Sequence, residues 1–585
     1  MIIKSLNFLE KKEKSSLKLI FFLNSFNLIF EFISLSLLPI FLGLITNQEF
    51  FFNLINDNFL LKINQNIEIK KFIYYFSFLI IISFFIKNGF LFLLLIVENK
   101  FFKNFKLRLS KKLFNFYINA PYLNLVNFNT SDISRTIVYS VSGVFYYMQN
   151  LITLLREILA VCAIFIILIF VNPKAVLIIF LILSLLSALY YGLIKSFLKK
   201  SSEKNQLLVS RIIKILIESF GSIKDIKILS KENKIAKIFN YDIDTLEKNF
   251  FFYNLIQRLP KLFLELLFIT LLTSIFAIYS SYNSEFITLL PELTLYVVVS
   301  LRFIPAFNSI SSSLNYLKIY ESSILTINKQ LKTLTHPINL SSPSNNNKNF
   351  SLKKKSKSNF IEVKNLHFSY LGKSKNILKN INLKIKEGSK VAIFGKTGSG
   401  KTTFLNLLLG LFEPQKGDVF YKNKSIYKNL DHWRSDISHV SQNCYLMDDT
   451  IKNNIIFNFY NKDINESKLN KVVKLSQLDK KIKSLPKGLN TRIGNDGIRL
   501  SGGEKQRIAL ARSMYRNSSI LFLDEFTSAL DLDTEEKIIK NVINYFRGKT
   551  MFIISHRDTI IKNCDIILKV EEGNIKKIKN FFKKN

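Results

Sequence analysis

One stretch decides the fold of the second half of the chain: Gly395-Lys396-Thr397-Gly398-Ser399-Gly400-Lys401-Thr402. An apolar run at residues 390–394 precedes it and a helical pattern follows it, so the stretch predicts a loop between a strand and a helix. Its glycines allow backbone N–H groups to face phosphate oxygens, Lys401 supplies a cation for the outer phosphates, and the Thr402 hydroxyl can ligate Mg²⁺. The pattern, with Thr403 beside it, predicts a nucleotide site.

The chain of 585 residues is too long for one hydrophobic core, and its first 338 residues are far more apolar than the rest. We interpret six apolar runs of bilayer length as spanning helices, at about residues 17–46, 72–97, 151–171, 175–197, 262–281 and 287–310. Buried helices of a large soluble protein are the alternative. The fold class predicted for residues 1–338 is an all-α, six-helix transmembrane domain.

The formal net charge of +39 would ordinarily suggest a nucleic-acid partner. Lys, Asn, Ile and Phe are all used heavily, however, as an AT-rich genome would produce, so we predict no nucleic-acid partner. The distribution of charge is more informative, because residues 98–150 carry 7 Lys or Arg and residues 195–261 carry 14, whereas residues 47–69 carry only Lys62. Since basic loops stay on the cytoplasmic side, both termini are predicted to be cytoplasmic.

Two further features concern processing and redox chemistry. The apolar run at residues 17–46 lacks the short core and small-residue cleavage site of a signal peptide, so we expect a retained first span. Cys162, Cys444 and Cys564 have no ligand-like spacing, and no disulfide or metal site is predicted from them.

Of the basic residues inside or near the ends of predicted spans, Lys87, Lys261 and Arg302 are the least explained by the cytoplasmic bias of basic residues. A charge at the bilayer centre costs about 2.5–3.5 kcal/mol on insertion scales, so each should face a partner or a wet cavity. Because the three lie on different spans, they predict a cavity for an anionic head group such as a phosphate. Structural pairing with the glutamates of neighbouring spans is the alternative.

Residues 339–358 are rich in Ser, Asn and Lys without apolar periodicity and predict a flexible linker. In residues 359–585 short apolar strands alternate with helical patterns, which predicts an α/β domain with a largely parallel sheet. In the first half, the basic loops show helical periodicity around two turn-rich tips, residues 121–132 and 220–230. We expect these tips to reach a soluble domain.

The second half carries further candidate residues. An apolar strand, residues 520–523, ends in Asp524 and Glu525, a pattern in which the first acid holds Mg²⁺ through water and the second polarises attacking water. Tyr370 could stack on a purine, although a core position is the alternative. The run Leu500-Ser501-Gly502-Gly503-Glu504 opens a helix, so its hydroxyl, glycine N–H groups and helix dipole predict a second anion site.

Together these motifs resemble an ATP-binding cassette (ABC) transporter of the exporter type, and the resemblance covers essentially the whole chain. The matching motifs stand in family order: the phosphate loop, Gln442, Leu500-Ser501-Gly502-Gly503, Asp524-Glu525, Ser528-Ala529-Leu530-Asp531 and His556. The resemblance implies a P-loop ATP-binding cassette at residues 359–585, hydrolysis of ATP with Mg²⁺, and two cassettes paired head to tail. One chain has one cassette, so a homodimer is expected, and a heterodimer is possible.

The resemblance also implies roles for single residues. ATP would lie between the Lys401 loop of one copy and the signature of the other, made of Ser501, Gly502, Gly503 and Glu504. The remaining roles are adenine stacking by Tyr370, contact with Mg²⁺ by Thr402, Gln442 and, through water, Asp524, general base catalysis by Glu525, γ-phosphate binding by His556, and coupling of the two sites by Asp531. Two departures from the family pattern are Glu504, where Gln is common, and Asn495-Asp496, where a Glu-Arg pair is usual.

Residues 221–227, 302–308, 556–557 and 563–565 look similar to bacterial lipid-linked oligosaccharide flippases. That resemblance and the intramembrane cations together predict a multi-pass protein of the bacterial inner membrane, with a cytoplasmic ATP-binding domain, that moves an amphipathic, anionic lipid-linked saccharide. Export of another lipid, a peptide or a drug-like substrate is the first alternative. A nucleotide-gated channel or regulator, and a soluble cassette ATPase, are alternatives of other classes.

Overall fold

The computed structural model describes residues 8–46, 69–126, 128–171, 192, 196–197, 200–201, 203–282, 290–335, 360–370, 376–457, 464–494, 497 and 500–578. The chain forms two compact units. One comprises Met1–Ala120 and Asn124–Pro337, and the other comprises Pro121–Leu123 and Ile338–Asn585.

Every described element before residue 336 is helical, which confirms the all-α prediction for this part of the chain. The elements are α1 Lys11–Thr46, α2 Ile69–Ile118, α3 Tyr122–Leu125, α4 Thr130–Arg135, a π-helical turn Thr136–Ser140, α5 Val141–Val171, α6 Ile223–Ile228, α7 Glu232–Tyr282 and α8 Leu290–Thr335. Residues 203–221 are helical as well. Several of these helices are far longer than a bilayer requires.

Three helices of the described residues are long and apolar enough to cross a membrane, namely Lys11–Phe41, Ile73–Ile118 and Thr130–Ile166. The predicted span at 262–281 falls within α7, and that at 287–310 falls, from residue 290, within α8. The predicted span at 175–197 lies almost wholly outside the described residues, and the predicted linker at 339–358 and the Asn495-Asp496 pair lie outside them entirely. The number of spans therefore stays a prediction.

The surface of α2 changes character along its length. In its first half large apolar side chains point outward, with Tyr74 74% and Phe85 80% exposed. An outward apolar surface of this size suits lipid rather than water. In its basic second half one row of apolar side chains turns inward instead, and Phe105, Leu109 and Leu113 are buried in a cluster with residues of α5 and α8.

The second unit mixes strands and helices. Its strands are β1 Ile361–Phe368, β2 Leu378–Ile385, β3 Lys390–Phe394, β4 Lys416–Tyr421, β5 Lys424–Ser425, β6 Ile437–Val440, β7 Ile520–Asp524, β8 Thr550–Ile554, β9 Ile566–Glu571 and β10 Asn574–Ile578. Its helices are α9 Lys401–Leu408, α10 Leu430–Ser435, α11 Ile451–Ile456, α12 Glu466–Leu475, α13 Asp479–Ser484, α14 Gly502–Arg516, α15 Leu532–Tyr545 and α16 Asp558–Ile561, with 3₁₀ turns at Ile426–Lys428 and Gly488–Asn490.

The strands form two sheets. A six-stranded sheet has the order β10-β9-β3-β8-β7-β6 and is parallel except for β10, which confirms the α/β prediction. A second, antiparallel sheet has the order β2-β1-β4-β5. The sequence did not predict this sheet, because which strands pair is decided by contacts distant in the chain.

The six-stranded sheet is buried on both faces, which explains why its central strands are continuous apolar runs. All five residues of β7 are buried. Leu521 and Leu523 belong to one apolar cluster, while Ile520 and Phe522 belong to the other. Because successive side chains of a strand point to opposite faces, these clusters are the two cores that hold the sheet between them.

Candidate functional site

Four neighbouring parallel strands, β3, β8, β7 and β6, end in register. In β8, Ile554 pairs with Ile393 of β3 on one side and with Asp524 of β7 on the other. In β6, Val440 pairs with Leu523 of β7. The carboxyl ends of these strands therefore lie at one edge of the sheet, and the segments that follow them start there, which is where ligands bind in open α/β sheets.

The glycine-rich loop follows β3 and leads into α9. Gly398 has φ 77° and Gly400 has φ 106°, conformations that side chains disfavour and that turn the loop tightly. Lys401 is 8% exposed, and its Nζ donates to the carbonyl oxygens of Gly395 at 2.6 Å and Lys396 at 3.1 Å. Burial lowers the pKa of Lys401, against the opposing effect of the acids that follow β7. The loop thus holds the ammonium group of Lys401 against two of its own backbone carbonyl groups.

The other residues of the predicted loop divide by exposure. Lys396, Thr397 and Thr402 are exposed, as a surface that receives a ligand requires. Thr403 is buried, and its Oγ1 lies 3.2 Å from the hydroxyl of Tyr370. The hydroxyl of Tyr370 is therefore hydrogen-bonded to the first turn of α9.

The ring of Tyr370 also has protein partners. It packs edge-on against Phe368, with ring centroids 5.3 Å apart, and against Phe412, with centroids 5.8 Å apart. These contacts fix the ring at the border of a core cluster while leaving it partly accessible. Its stacking on adenine stays a prediction.

The two acids after β7 differ in environment. Asp524 is 8% exposed, and burial raises the pKa of its carboxyl to about 6, with a further contribution from Glu525 and an opposing one from Lys401. Glu525 has φ 47°, an unusual backbone conformation for a residue with a side chain. Its N–H donates to the carbonyl of Ile554 at 3.1 Å, which anchors the turn to the neighbouring strand.

The carboxylate of Glu525 is the point at which predicted residues from three strands meet. The side-chain amide of Gln442 donates to Glu525 Oε2 at 2.6 Å. His556 Nε2 lies 3.7 Å from Glu525 Oε1. The sheet therefore brings a carboxylate, an amide and an imidazole together at the edge where Lys401 and Asp524 also lie, and this set can orient a water molecule beside a phosphate.

The predicted signature forms the beginning of α14. Ser501 is the N-cap, and its Oγ accepts the N–H of Glu504 at 3.2 Å, while Glu504 Oε2 accepts the N–H of Ser501 at 2.8 Å. This reciprocal capping box fixes the first turn of the helix. Gly503 is required by close approach, since a Cβ at that position would lie 2.8 Å from the carbonyl oxygen of Ala529.

Gln506 is a residue that the sequence reasoning missed. Its Nε2 donates to Ser528 Oγ at 2.9 Å, and its Oε1 accepts the N–H of Ala529 at 3.1 Å. The signature helix is thereby tied to the segment that follows Glu525. Nothing local to the sequence indicated this contact, because its partners lie 22 and 23 residues away.

An ion pair with a buried carboxylate was also missed. Glu535 is 2% exposed, accepts the hydroxyl of Thr527 at 2.9 Å, and pairs with Arg557. Arg557 directly follows His556, so the pair joins the segment after β7 to the segment after β8. Asp531, predicted to couple two sites, caps α15 by accepting the Thr534 N–H at 3.0 Å, and this bond holds the pKa of Asp531 below its usual range.

The donors at this edge suit Mg²⁺. They are a hydroxyl oxygen of Thr402, an amide oxygen of Gln442 and the carboxylate of Asp524, all of the hard oxygen type that this ion prefers. Among the described residues, no group of three or more His, Cys, Asp or Glu could hold a metal ion by itself.

The three predicted cations of the first unit have different surroundings. Arg302 of α8 forms ion pairs with Glu31 of α1 and with Glu157 of α5. Lys261 lies 3.5 Å from Glu265 one turn along α7. Lys87 lies over the ring of Phe84, 5.0 Å from its centroid. Arg302 thus has the structural pairing that was the alternative to a substrate cavity, and the cavity stays a prediction.

Comparison with protein families gives two matches. The family described as "ABC transporter transmembrane region" matches residues 28–303, and the family described as "ABC transporter" matches residues 378–528. The second range contains the phosphate loop, Gln442, the signature and both acids. Together the two ranges cover most of both units.

Individual proteins are similar as well. An "ATP-dependent lipid A-core flippase" of Wigglesworthia glossinidia brevipalpis is 43% identical over 37% of this chain and 37% of its own length, so the alignment spans little more than a third of that relative. A protein of the same description from Saccharophagus degradans is 28% identical over 80% of this chain and 77% of its own. The solved structure titled "Structure of a bacterial Atm1-family ABC exporter with ATP bound" covers 97% of this chain and 95% of its own, with TM-score 0.74 and 17% identity, which establishes a shared fold.

Proposed function

Because the chain belongs to the ABC transporter family, with the transmembrane and ATP-binding regions in one polypeptide, we propose that it is an ATP-driven exporter or flippase. The observation that carries the proposal is the convergence at Glu525, where Gln442 and His556 meet the acid at the edge that also holds Lys401. An ATPase needs this set, whereas a protein that only senses nucleotide does not need an intact base.

The residues have separable tasks in hydrolysis. Lys401 and the loop N–H groups bind the outer phosphates and neutralise their charge. Glu525 accepts a proton from the water that attacks the γ-phosphate, and Gln442 orients that carboxylate. His556 contacts the γ-phosphate. The transition state of phosphoryl transfer is mostly stabilised by such positioning and charge, so replacing any of these side chains should lower the rate of hydrolysis.

Thr402, Gln442 and Asp524 would hold Mg²⁺, which when bound neutralises phosphate charge. For Asp524, ionisation is a condition of that role, and burial, which raises the pKa of this carboxyl, works against it. Lys401 favours the ionised form because it lies close enough to lower this pKa.

A second copy completes the site in our proposal. The signature presents a fixed helix N-terminus, with Ser501 and Gly502 exposed, which is a suitable surface for the phosphates of ATP bound to another chain. We therefore propose a homodimer in the bacterial inner membrane, with both termini and both ATP-binding domains in the cytoplasm. A heterodimer with a related chain would meet the same chemical requirement.

For the substrate we propose an amphipathic, anionic lipid-linked saccharide. The support is the similarity to lipid A-core flippases, one of which aligns over 80% of the chain. Lys87 and Lys261 are the proposed contacts for the anionic head group. Arg302 is a third proposed contact, and the head group would have to compete there with the carboxylates of Glu31 and Glu157.

Hydrolysis is tested with purified protein in lipid vesicles. Wild-type protein should release phosphate from ATP, and Glu525→Gln should reduce the rate by about a hundredfold or more, the usual effect of removing a general base. The variant should still bind ATP. Equal rates in the two proteins would contradict the assignment of Glu525.

The substrate proposal needs its own assay. ATP-dependent movement of a fluorescent pyrophosphate-linked lipid between leaflets is expected for wild-type protein and reduced for Lys87→Glu and Lys261→Glu, with ATP hydrolysis kept. Lys248→Glu, a change of the same charge at an exposed position of α7, is the control. Unchanged lipid movement in both variants would remove the cavity from the proposal without touching hydrolysis.

A further inference from the structure

The first turn of α14 carries a carboxylate beside the surface proposed to receive ATP. Glu504 has a side chain that is only 13% exposed. One of its oxygens, Oε2, accepts the Ser501 N–H, so the carboxylate cannot turn away into solvent without opening the capping box. A fixed negative charge at this place opposes the attraction of a helix N-terminus for phosphate.

Lys481 meets the second oxygen of that carboxylate. Its Nζ lies 3.1 Å from Glu504 Oε1, and its side chain is 32% exposed. Lys481 belongs to α13, and the next residue, Ile482, is buried in the core and anchors that short helix. The lysine is therefore held in place by a different element from the one that carries the signature.

The electrostatic surroundings of Glu504 agree with a carboxylate held in its charged form. Burial acts to raise its pKa, but the Ser501 N–H and the Lys481 ammonium outweigh burial and lower it, with a smaller contribution from Arg507. Arg507 forms its hydrogen bond with a different residue, since its Nη1 donates to the carbonyl of Gln477 at 2.7 Å. Among these cations only Lys481 forms an ion pair with Glu504 in the described residues.

We propose that Lys481 is a positioning residue for ATP-dependent closure: it neutralises Glu504 and so preserves the affinity of the signature turn for the phosphates of ATP on a second copy. This inference rests on the proposed pairing of two cassettes. Glutamine at position 504 could keep the bond to the Ser501 N–H without carrying a charge. The need for Lys481 should therefore disappear when Glu504 is neutral, which separates this role from simple packing of α13.

The test measures ATP hydrolysis against ATP concentration for the full-length protein in vesicles. Lys481→Met is expected to raise the half-saturating ATP concentration by roughly two- to fivefold, the effect of one charge at a helix N-terminus, with kcat little changed. Lys481→Arg keeps the charge and should behave like wild type. Lys483→Met, the same change at an exposed position of the same helix, is the matched control.

The deciding measurement is the double variant. In the Glu504→Gln background, Lys481→Met should have no further effect on half-saturation. If Lys481→Met has no effect alone, or has the same effect in both backgrounds, the inference is wrong. An effect equal to that of Lys483→Met also overturns it.

Failure of the proposed function gives a different result. In that case wild-type protein would hydrolyse no ATP, or Ser501→Arg, which blocks the signature surface, would leave hydrolysis unchanged. If wild-type hydrolysis is lost on Ser501→Arg while Lys481→Met does nothing, only the role of Lys481 fails.

Discussion

Replacing Arg302 with methionine is expected to destabilise the first unit severely. Arg302 Nη1 lies 2.9 Å from Glu157 Oε2, and its Nη2 donates to Glu31 Oε2 at 3.3 Å. The side chains of Glu157 and Glu31 are only 7% and 12% exposed. The guanidinium therefore joins α8 to α1 and α5 through two nearly buried carboxylates that lie in predicted spans.

The magnitude follows from what the substitution leaves behind. Removing one partner of a buried ion pair costs about 3–5 kcal/mol, because the remaining charge is buried without compensation. Here two carboxylates would remain, and among the described residues only Glu157 keeps another cation, Arg156, whose Nε lies 3.1 Å away. Glu31→Gln should cost less than Arg302→Met, since Arg302 then still pairs with Glu157. Arg302→Met combined with Glu31→Gln and Glu157→Gln should recover much of the loss.

The assay is thermal unfolding of the purified protein in detergent, with helix content as the signal and the variants compared as a mutant cycle. Lys248→Met breaks an exposed pair with Asp244, worth at most about 1 kcal/mol, and is the control. If Arg302→Met unfolds at the wild-type temperature, or the triple variant is no more stable than Arg302→Met, the carboxylates are not held by this arginine and the reasoning is refuted.

Three further predictions concern the second unit. The pKa of Asp524 is about 6 in the folded protein and 3.8 ordinarily, so the folded state loses stability as the pH rises from about 4 to about 6 and this carboxyl ionises. Asp524→Asn should therefore raise the unfolding temperature of nucleotide-free protein at neutral pH but not near pH 4. The same substitution should abolish hydrolysis. Gly503→Ala should lower the unfolding temperature more than Gly502→Ala, because the first Cβ would lie 2.8 Å from a backbone oxygen and the second 3.4 Å from a methyl group. Arg557→Met should destabilise by about 3–5 kcal/mol because it leaves Glu535 buried and unpaired, whereas Arg557→Met with Glu535→Gln should be closer to wild type, as measured by unfolding in urea.

The meeting of the candidate site residues was largely predictable, because most of them directly follow strands of one sheet. Residues 390–394 and 520–523 are recognisable as buried parallel strands. The segments that follow them, which carry Lys401 and Glu525, must therefore start at the same edge of the sheet. The apolar sequence pattern identifies each strand, and the geometry of a parallel sheet places the carboxyl ends of its strands at one edge. His556 needed the family resemblance as well, because no local pattern distinguishes it from a surface histidine.

The contacts that escaped prediction share a different physical origin. Arg302 could have faced a substrate or a glutamate, and only the relative rotation of three long helices decides between them. Gln506 reads as one more polar residue on an amphipathic helix, yet it is buried and holds Ser528. Lys481 is one of three lysines in a six-residue helix, and the direction of its side chain depends on tertiary packing.

The position of Gln506 bears on how the two halves of an ATP site are linked within one chain. Ser501 caps the signature helix, and within its first two turns Gln506 forms hydrogen bonds with Ser528 and Ala529, in the segment that follows Glu525. Gly503 makes that contact possible, since any side chain there would push the helix away from Ala529. The first turns of the signature helix and the turn that carries Glu525 are therefore coupled through the side chain of Gln506. In the proposed pair of copies, a phosphate bound at Ser501 would act on a helix that is hydrogen-bonded to the segment after Glu525 of the same chain, and this contact would give the two proposed sites a physical reason to respond together.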